Sequence, residues 1–303
     1  MQTRTKPIST EAIKDSELLY ASDGRMYHIG LNGKEIADTV LLVGDPDRVL
    51  MVAEYFDEVE FFRHNREFKS CTGTYHGKRF TVLSTGIGPD NIDIVINELD
   101  AAVNINSLRR IPNYTPRQLN IIRIGTSGLL QKDLHLNSFI KSKYGLGLDG
   151  VVHFYDNEFE ADEKEICEDF IKQSNWDPSF NKPYVVKVNE ELYQLLNSSL
   201  LDSGITITSN GFYGPQGRSI RLGLKDQELN KKFTSFKSKA GRIVNYEMET
   251  APLYALASML GHKACSVCIG LANRETGKYT TSYKVMLDQM VSYILKRLTG
   301  QPE

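Results

Sequence analysis

An α/β fold, with one sheet sandwiched by helices, is predicted by three observations. Short continuous apolar runs, at residues 40–43 and 119–124, have the length of buried strands. Longer stretches repeat apolar side chains at helical spacing, Ile92, Val95, Ile96, Leu99, Ala102 and Val103 being the clearest. The two kinds of segment alternate along the whole chain, which suits one sheet covered by helices.

Residues 40–43 enter the turn Gly44-Asp45-Pro46, where Asp45 caps a helix and Pro46 takes its first position; that helix is expected to run to about residue 55. Residues 61–75 and 79–84 are expected as strands, with His76-Gly77 turning between them. Thr85-Gly86-Ile87-Gly88-Pro89 is a tight glycine loop, followed by an amphipathic helix over residues 90–108. Residues 119–124 form a second buried strand, expected to end at Gly125. Further strands are expected at 184–188, 205–208 and 264–271, and helices at 249–260 and 281–298. The mixed polar stretches 109–117 and 158–183 are expected as surface excursions. The division expected is an N-terminal extension over residues 1–25 and a single domain over 26–303.

With 303 residues and a net charge of -2, the chain has no concentrated basic field, so nucleic acid is excluded as a partner. Its four cysteines do not form a disulfide scaffold, and Cys265-Ser266-Val267-Cys268 is expected as two buried thiols rather than a redox pair. No structural zinc is expected. The first 20 residues lack the apolar core of a signal peptide, and no run approaches ~18 apolar residues. No membrane partner is expected, and a reducing cytoplasm is the expected location.

Two strands end beside an arginine and glycines: Gly44-Asp45-Pro46-Asp47-Arg48 and Arg123-Ile124-Gly125-Thr126-Ser127-Gly128. Glycine lets backbone N–H groups approach an anion, and arginine grips phosphate with two parallel bonds. Neither is a Walker A loop or a dinucleotide fingerprint. Gly211-Phe212-Tyr213-Gly214-Pro215-Gln216-Gly217-Arg218 places an aromatic face, an amide and a guanidinium within eight residues, suited to a flat heterocycle. Asn245-Tyr246-Glu247-Met248-Glu249 sets carboxylates beside a thioether, suited to a polyol. Together they point to a nucleoside enzyme. Each residue also has a plainer reading: salt-bridged arginines, a core Phe212, a surface His28, and Glu247 enriching a helix's first turn.

With His64-Asn65-Arg66-Glu67-Phe68 and Ser84-Thr85-Gly86-Ile87-Gly88, these six ordered motifs resemble the nucleoside phosphorylase I family, most of all its uridine phosphorylases. The resemblance implies a three-layer α/β/α sandwich around a mixed, curved central sheet. It implies phosphorolysis, with inorganic phosphate as co-substrate and no organic cofactor. Phosphate would be held by Gly44, Arg48, Arg123 and Thr126, joined by Arg66 from a neighbouring subunit. Ribose would meet Met248, Glu249 and a neighbour's His28, in Tyr27-His28-Ile29-Gly30-Leu31. The base would meet Phe212, Gln216 and Arg218, with Arg274 in support. A homodimer, or a hexamer built as a trimer of dimers, is implied.

Several positions depart from the family pattern. A serine that in relatives helps form a potassium-type cation site between subunits, with a glutamate matching Glu67, is replaced here in Gly88-Pro89-Asp90-Asn91, where Asn91 or Asp90 is the substitute ligand if K+ binds. The order Gly214-Pro215 is reversed, and the stretch after Arg274 is short. Asn273-Arg274 stands where purine-specific relatives carry an aspartate acid, which favours a pyrimidine. The expected reaction is uridine plus phosphate giving uracil and ribose 1-phosphate. A purine nucleoside phosphorylase, a nucleoside hydrolase and a nucleoside-binding protein without turnover stay open.

Overall fold

All five residues of strand β1 (Thr39–Val43) are buried, as a strand covered on both faces requires. The structure, a computed structural model, describes residues 11–302. The first ten residues of the expected extension lie outside the described residues. The rest of that extension is tied down: Arg110 donates to the carbonyls of Ile13, Lys14 and Leu18, and Leu18 is buried.

Helix α1 (Pro46–Ala53) starts as expected, with the Asp45 carboxylate accepting from the Asp47 N–H. Strands β2 (Glu58–Asn65), β3 (Phe68–Tyr75) and β4 (Lys78–Ser84) form an antiparallel meander. The strand expected over 61–75 is therefore broken. Arg66 turns the chain with φ 55°, a left-handed conformation that carries no glycine to announce it. Helix α2 (Pro89–Asn104) stops four residues before its expected end; Ile105 is extended and opens a two-residue strand, β5 (Ile105–Asn106), paired with β6 (Ile111–Pro112).

Strand β7 (Asn120–Leu129) does not end at Gly125 but runs through both glycines. Strand β8 (Phe139–Gly147) follows, with Lys141 buried in its middle. The stretch 158–183 is more than an excursion. It contains α3 (Ala161–Ser174), closed by a Glu160–Glu163 capping box and burying Ile166 and Phe170. The chain continues through β9 (Tyr184–Lys187), α4 (Glu190–Leu195), β10 (Leu201–Thr208), α5 (Leu229–Ser235), β11 (Lys237–Ser238) and β12 (Gly241–Glu247). It ends with α6 (Thr250–Met259), β13 (Lys263–Asn273), β14 (Lys278–Tyr279) and α7 (Lys284–Thr299).

Most strands join one mixed sheet in the order β11-β12-β10-β8-β13-β7-β1-β4-β3-β2. The sheet curls until β12 meets β7 again, pairing Asn245 with Leu129 and Tyr246 with Gly128. Strands β7, β13, β8, β10 and β12 thus close into a ring. Register shifts at Gly204–Thr206 and Gly270–Ala272 supply the bends that closure needs. The main core fills the space between the sheet and α1, α2, α6 and α7, while Phe170, Phe233 and Phe236 build a second core under α3 and α5. No helix among the described residues is long and apolar enough to cross a membrane.

The decisive feature lies in β7. Its first half pairs in parallel with β1 as far as Val43–Ile124. Its second half leaves β1 behind and joins the ring with β13 and β12. A cleft opens where the sheet divides, beyond the carboxyl ends of β1 and β4.

Candidate active site

That cleft holds a cavity of ≈ 590 Å³. Gly44, Asp45 and Arg48 line it from the β1–α1 turn, and Gly86 from the loop after β4. Arg123, Thr126 and Gly128 come from β7, and Tyr246, Glu247, Met248 and Glu249 from β12 and the start of α6. Phe212, Gln216 and Arg218 close the far end from the loop after β10. The structure therefore brings nine of the expected site residues to one wall: Gly44, Arg48, Arg123, Thr126, Phe212, Gln216, Arg218, Met248 and Glu249.

Arg123 is the most constrained of them. One Nη2–H goes to the Glu249 carboxylate, Nη1 lies 3.3 Å from Glu247 Oε2, and Nη1 also donates to Cys268 Sγ at 3.2 Å. Arg123, Glu247 and Glu249 are all buried, so their mutual attraction acts with little solvent screening. Burial works against the arginine's charge, but Glu249, the Cys268 sulfur and Glu247 outweigh it, and the guanidinium is held above its ordinary value. Burial pushes the Glu249 carboxyl up, against the pull of Arg123; the charge of Glu247 adds to the push. The two directions agree physically: one guanidinium faces two carboxylates, so it stays charged while they compete for it.

Glu247 is not in a helix's first turn but ends β12, three residues before α6. Its oxygens accept the N–H groups of Glu249 and Thr250 at the start of α6, and the Thr208 hydroxyl at 2.7 Å. It also faces the cavity beside Arg123. Glu249 accepts the Gly88 N–H at 2.9 Å, linking the α6 start to the glycine loop before α2. The sequence marked these residues but gave no hint that Arg123 would be spoken for by both carboxylates.

The far end is looser. Gly214–Gln216 make one 3-10 turn, and Gln216 is buried while Phe212 is half exposed. The Arg218 guanidinium lies 4.0 Å above the Phe212 ring centroid, and its Nη1 donates to the Phe212 carbonyl and to Gln216 Oε1. Holding that oxygen fixes which way the amide faces. Burial pushes Arg218 below its ordinary value; the Tyr246 phenol opposes the drop and the Arg274 guanidinium adds to it. A guanidinium in this state favours an electron-rich acceptor beside it.

Three expected site residues are not on this wall. Arg274 stands behind the loop, its Nη2 donating to the Gly217 carbonyl at 3.2 Å. Arg66 is exposed, stacked on Tyr27 and bonded to the Tyr27 hydroxyl at 2.8 Å. His28 lies in the same segment, with Nδ1 2.5 Å from Glu98 Oε1, while Asn65 holds the carbonyls of Tyr27 and His28. Arg66 and His28 thus belong to one cluster around Tyr27 and Asn65, outside the lining of this chain's cavity.

Glu67 lines the cavity mouth, and a side chain on Gly86 would meet Asn91 and Glu67. No group of three His, Cys, Asp or Glu side chains among the described residues is placed to hold a metal ion. Cys265 and Cys268 are buried, and burial pushes their thiols up to about 12 and about 11, which suits inert thiols rather than a redox pair.

Sequence reasoning assigned no role to Tyr246, whose buried hydroxyl has no hydrogen-bond partner and whose ring packs on Gly128. It also missed the state of Asn273. That amide donates to the carbonyls of Gln131 and Leu134 and accepts the N–H groups of Glu275 and Thr276.

A family profile described as "Phosphorylase superfamily" matches residues 38–290. A uridine phosphorylase of Thermococcus kodakarensis is 30% identical over 266 residues, covering 85% of this chain and 81% of that one. A DeoD-type purine nucleoside phosphorylase of Bacillus subtilis is 30% identical over 244 residues, covering 79% and 84%. Among solved structures, a Trypanosoma brucei nucleoside phosphorylase described as showing uridine phosphorylase activity superposes with a TM-score of 0.85 at 26% identity, covering 93% of this chain and 99% of that one.

Proposed function

We propose that this chain, which belongs to the phosphorylase superfamily and within it to the nucleoside phosphorylases, cleaves uridine with inorganic phosphate to uracil and ribose 1-phosphate. Membership makes it a pentosyltransferase; the choice of a pyrimidine is our reading. The observation that carries that choice is the far end of the cavity, where Phe212, Gln216, Arg218 and Tyr246 present donors and no carboxylic acid, Asn273 being turned away to the backbone. A purine leaves readily only when an acid protonates its imidazole ring. Asn273 has no acidic proton, and all four of its bonds are used in holding the backbone of its own corner. Uracil needs no such acid, because charge developing on its carbonyl oxygens is met by donors. Gln216 and Arg218 are donors at the cavity's far end. Bonds that strengthen as the glycosidic bond breaks raise the rate. DeoD-type relatives of equal identity are the reason a purine substrate must be tested directly.

In this reading the phosphate lies against Gly44, Arg48, Arg123 and Thr126, below the sugar. The ribose hydroxyls meet Glu249 with Met248 against the ring, and Phe212 covers the base. Arginines that fix an anion beside the anomeric carbon act by positioning and by lowering the charge repulsion of the attack. Arg274 supports the base loop from behind through Gly217. Arg66 and His28 complete the neighbour's phosphate and ribose pockets, so the working unit is a homodimer or a hexamer of three such pairs. No step is assigned to a cation.

Uridine, inosine and adenosine, each incubated with and without phosphate, test this. Uracil release that requires phosphate is the expected result. Hypoxanthine or adenine release at a comparable rate would overturn the pyrimidine assignment, and release without phosphate would indicate a hydrolase. For the shared site, Arg66→Ala and Gln216→Ala are each expected to be strongly impaired and, when mixed and allowed to exchange subunits, to recover activity. No recovery, or a fully active Arg66→Ala, would refute it.

A further inference from the structure

We propose that Cys268 is a positioning residue for the anion site: its thiol holds the Arg123 guanidinium in the orientation that receives phosphate. This rests on the phosphate-binding reading of Arg123 given above.

Cys268 Sγ accepts from Arg123 Nη1 at 3.2 Å, a short approach for an N–H to sulfur, and both side chains are buried. The meeting is built by three elements. Cys268 lies on β13, directly beside β7, paired in register with Gly125. Gly125 supplies the space: a Cβ there would lie 1.9 Å from Arg123 Nη1 and 2.8 Å from Cys268 Sγ. Ser266, two residues earlier on β13 and so on the same face, has its hydroxyl 3.8 Å from Cys268 Sγ and accepts from the Thr250 hydroxyl at 2.9 Å. Thr250 opens α6, next to Glu249. A hydroxyl–thiol chain therefore runs from the start of α6 to the guanidinium.

A guanidinium held at one nitrogen still pivots about that bond. With Nη2 on Glu249 and Nη1 hydrogen-bonded to Cys268, with Glu247 3.3 Å away as a charge partner, Arg123 is pinned at two corners, and its plane is set. The choice of sulfur has a physical reason. Two carboxylates already face this one arginine. A third anionic acceptor would add negative charge beside the guanidinium and repel an incoming phosphate. Burial pushes the Cys268 thiol up to about 11, so near neutral pH it holds Nη1 without adding negative charge. When Glu249 turns to ribose hydroxyls, the sulfur is an acceptor that the substrate does not compete for.

The test compares wild type with Cys268→Ala, Cys268→Val and Cys268→Ser. Valine keeps the volume without an acceptor; serine keeps an acceptor on a shorter bond. Phosphate affinity is measured by titration calorimetry on the free enzyme, and KM for phosphate and for uridine separately by steady-state rates. Loss of the acceptor is expected to weaken phosphate about three- to tenfold, the scale of one modest hydrogen bond, with KM for uridine within about twofold. Serine is expected to fall between alanine and wild type. Unchanged phosphate affinity in folded alanine and valine variants would overturn the proposal. So would equal loss for both substrates, which is the mark of a loosened core. Calorimetry keeps this result independent of which nucleoside is cleaved. Wild type that binds phosphate but does not cleave uridine would fail the substrate reading alone; wild type that binds no phosphate would overturn both.

Discussion

At the end of the cavity floored by β7, Arg123, Glu247 and Glu249 are each 4% exposed and bonded to one another, to Gly88 and to the start of α6. At the other end Phe212 is 51% exposed, and Arg218 rests on it. The first end is made by strand termini and helix starts, so its charged groups have few alternative positions. The second is a single turn of loop, fixed mainly by the Arg218–Gln216 contact and by the hold of Arg274 and Asn230 on the Gly217 carbonyl. Charge geometry needs a rigid, dry support, because a buried ion pair that drifts loses its attraction while still bearing the cost of desolvation. Recognition of a flat ring tolerates a looser frame, since stacking falls off gently with displacement. The difference suggests that the reaction type resides in the sheet and the base preference in the loop.

The sharpest way to break this comparison is Arg123→Ala. It strands two buried carboxylates, so a loss of about 3–5 kcal/mol in stability is expected. Activity should fall by about 10³ or more in the variant that still folds. Denaturant unfolding and uracil release measure the two effects; loss of activity with full stability would mean the buried triad does not hold the fold. Gln216→Ala should reduce kcat/KM for uridine by about 10²-fold, because one donor to a developing charge is removed. A change confined to KM would assign the amide to ground-state binding instead.

Asn273→Asp sharpens the comparison from the other side. A carboxylate there would face the carbonyls of Gln131 and Leu134, now 2.9 and 2.8 Å from the amide nitrogen. We expect a loss of about 1–3 kcal/mol in unfolding free energy, and no gain of inosine cleavage. New purine activity would mean that this corner opens toward the base. The smallest effect is expected from Phe212→Ala: KM for uridine should rise about tenfold, in line with the loss of one stacking platform. Its unfolding midpoint should stay close to wild type, as the ring is half exposed. A large stability loss would show that the loop is more tightly built than its exposure suggests.

Much of this was legible in the chain. The runs at 40–43 and 264–271, the Asp45 cap and the apolar spacing of α2 announced their elements, because each depends on local periodicity or on a single capping group. Helix α3 was hidden because its buried face is narrow, Ile166 and Phe170 among many charges. The turn at Arg66 was hidden because an arginine in a left-handed conformation leaves no glycine signature. The residue types of the site were readable in order: arginines beside glycine turns, a Phe-Gln-Arg loop, and Glu-Met-Glu.

What the sequence alone determined is therefore the alternation of strands and helices and the inventory of side chains able to meet phosphate, sugar and base. What only the tertiary structure decided is where those side chains meet. Strand β7 parts from β1 after Ile124 and closes a ring with β12, and this division opens the cleft and sets Arg123 between Glu249 and Cys268, residues 126 and 145 positions away. No local pattern encodes such a contact. It follows from the register of neighbouring strands and the bends that close the ring, which are settled by the packing of the whole sheet.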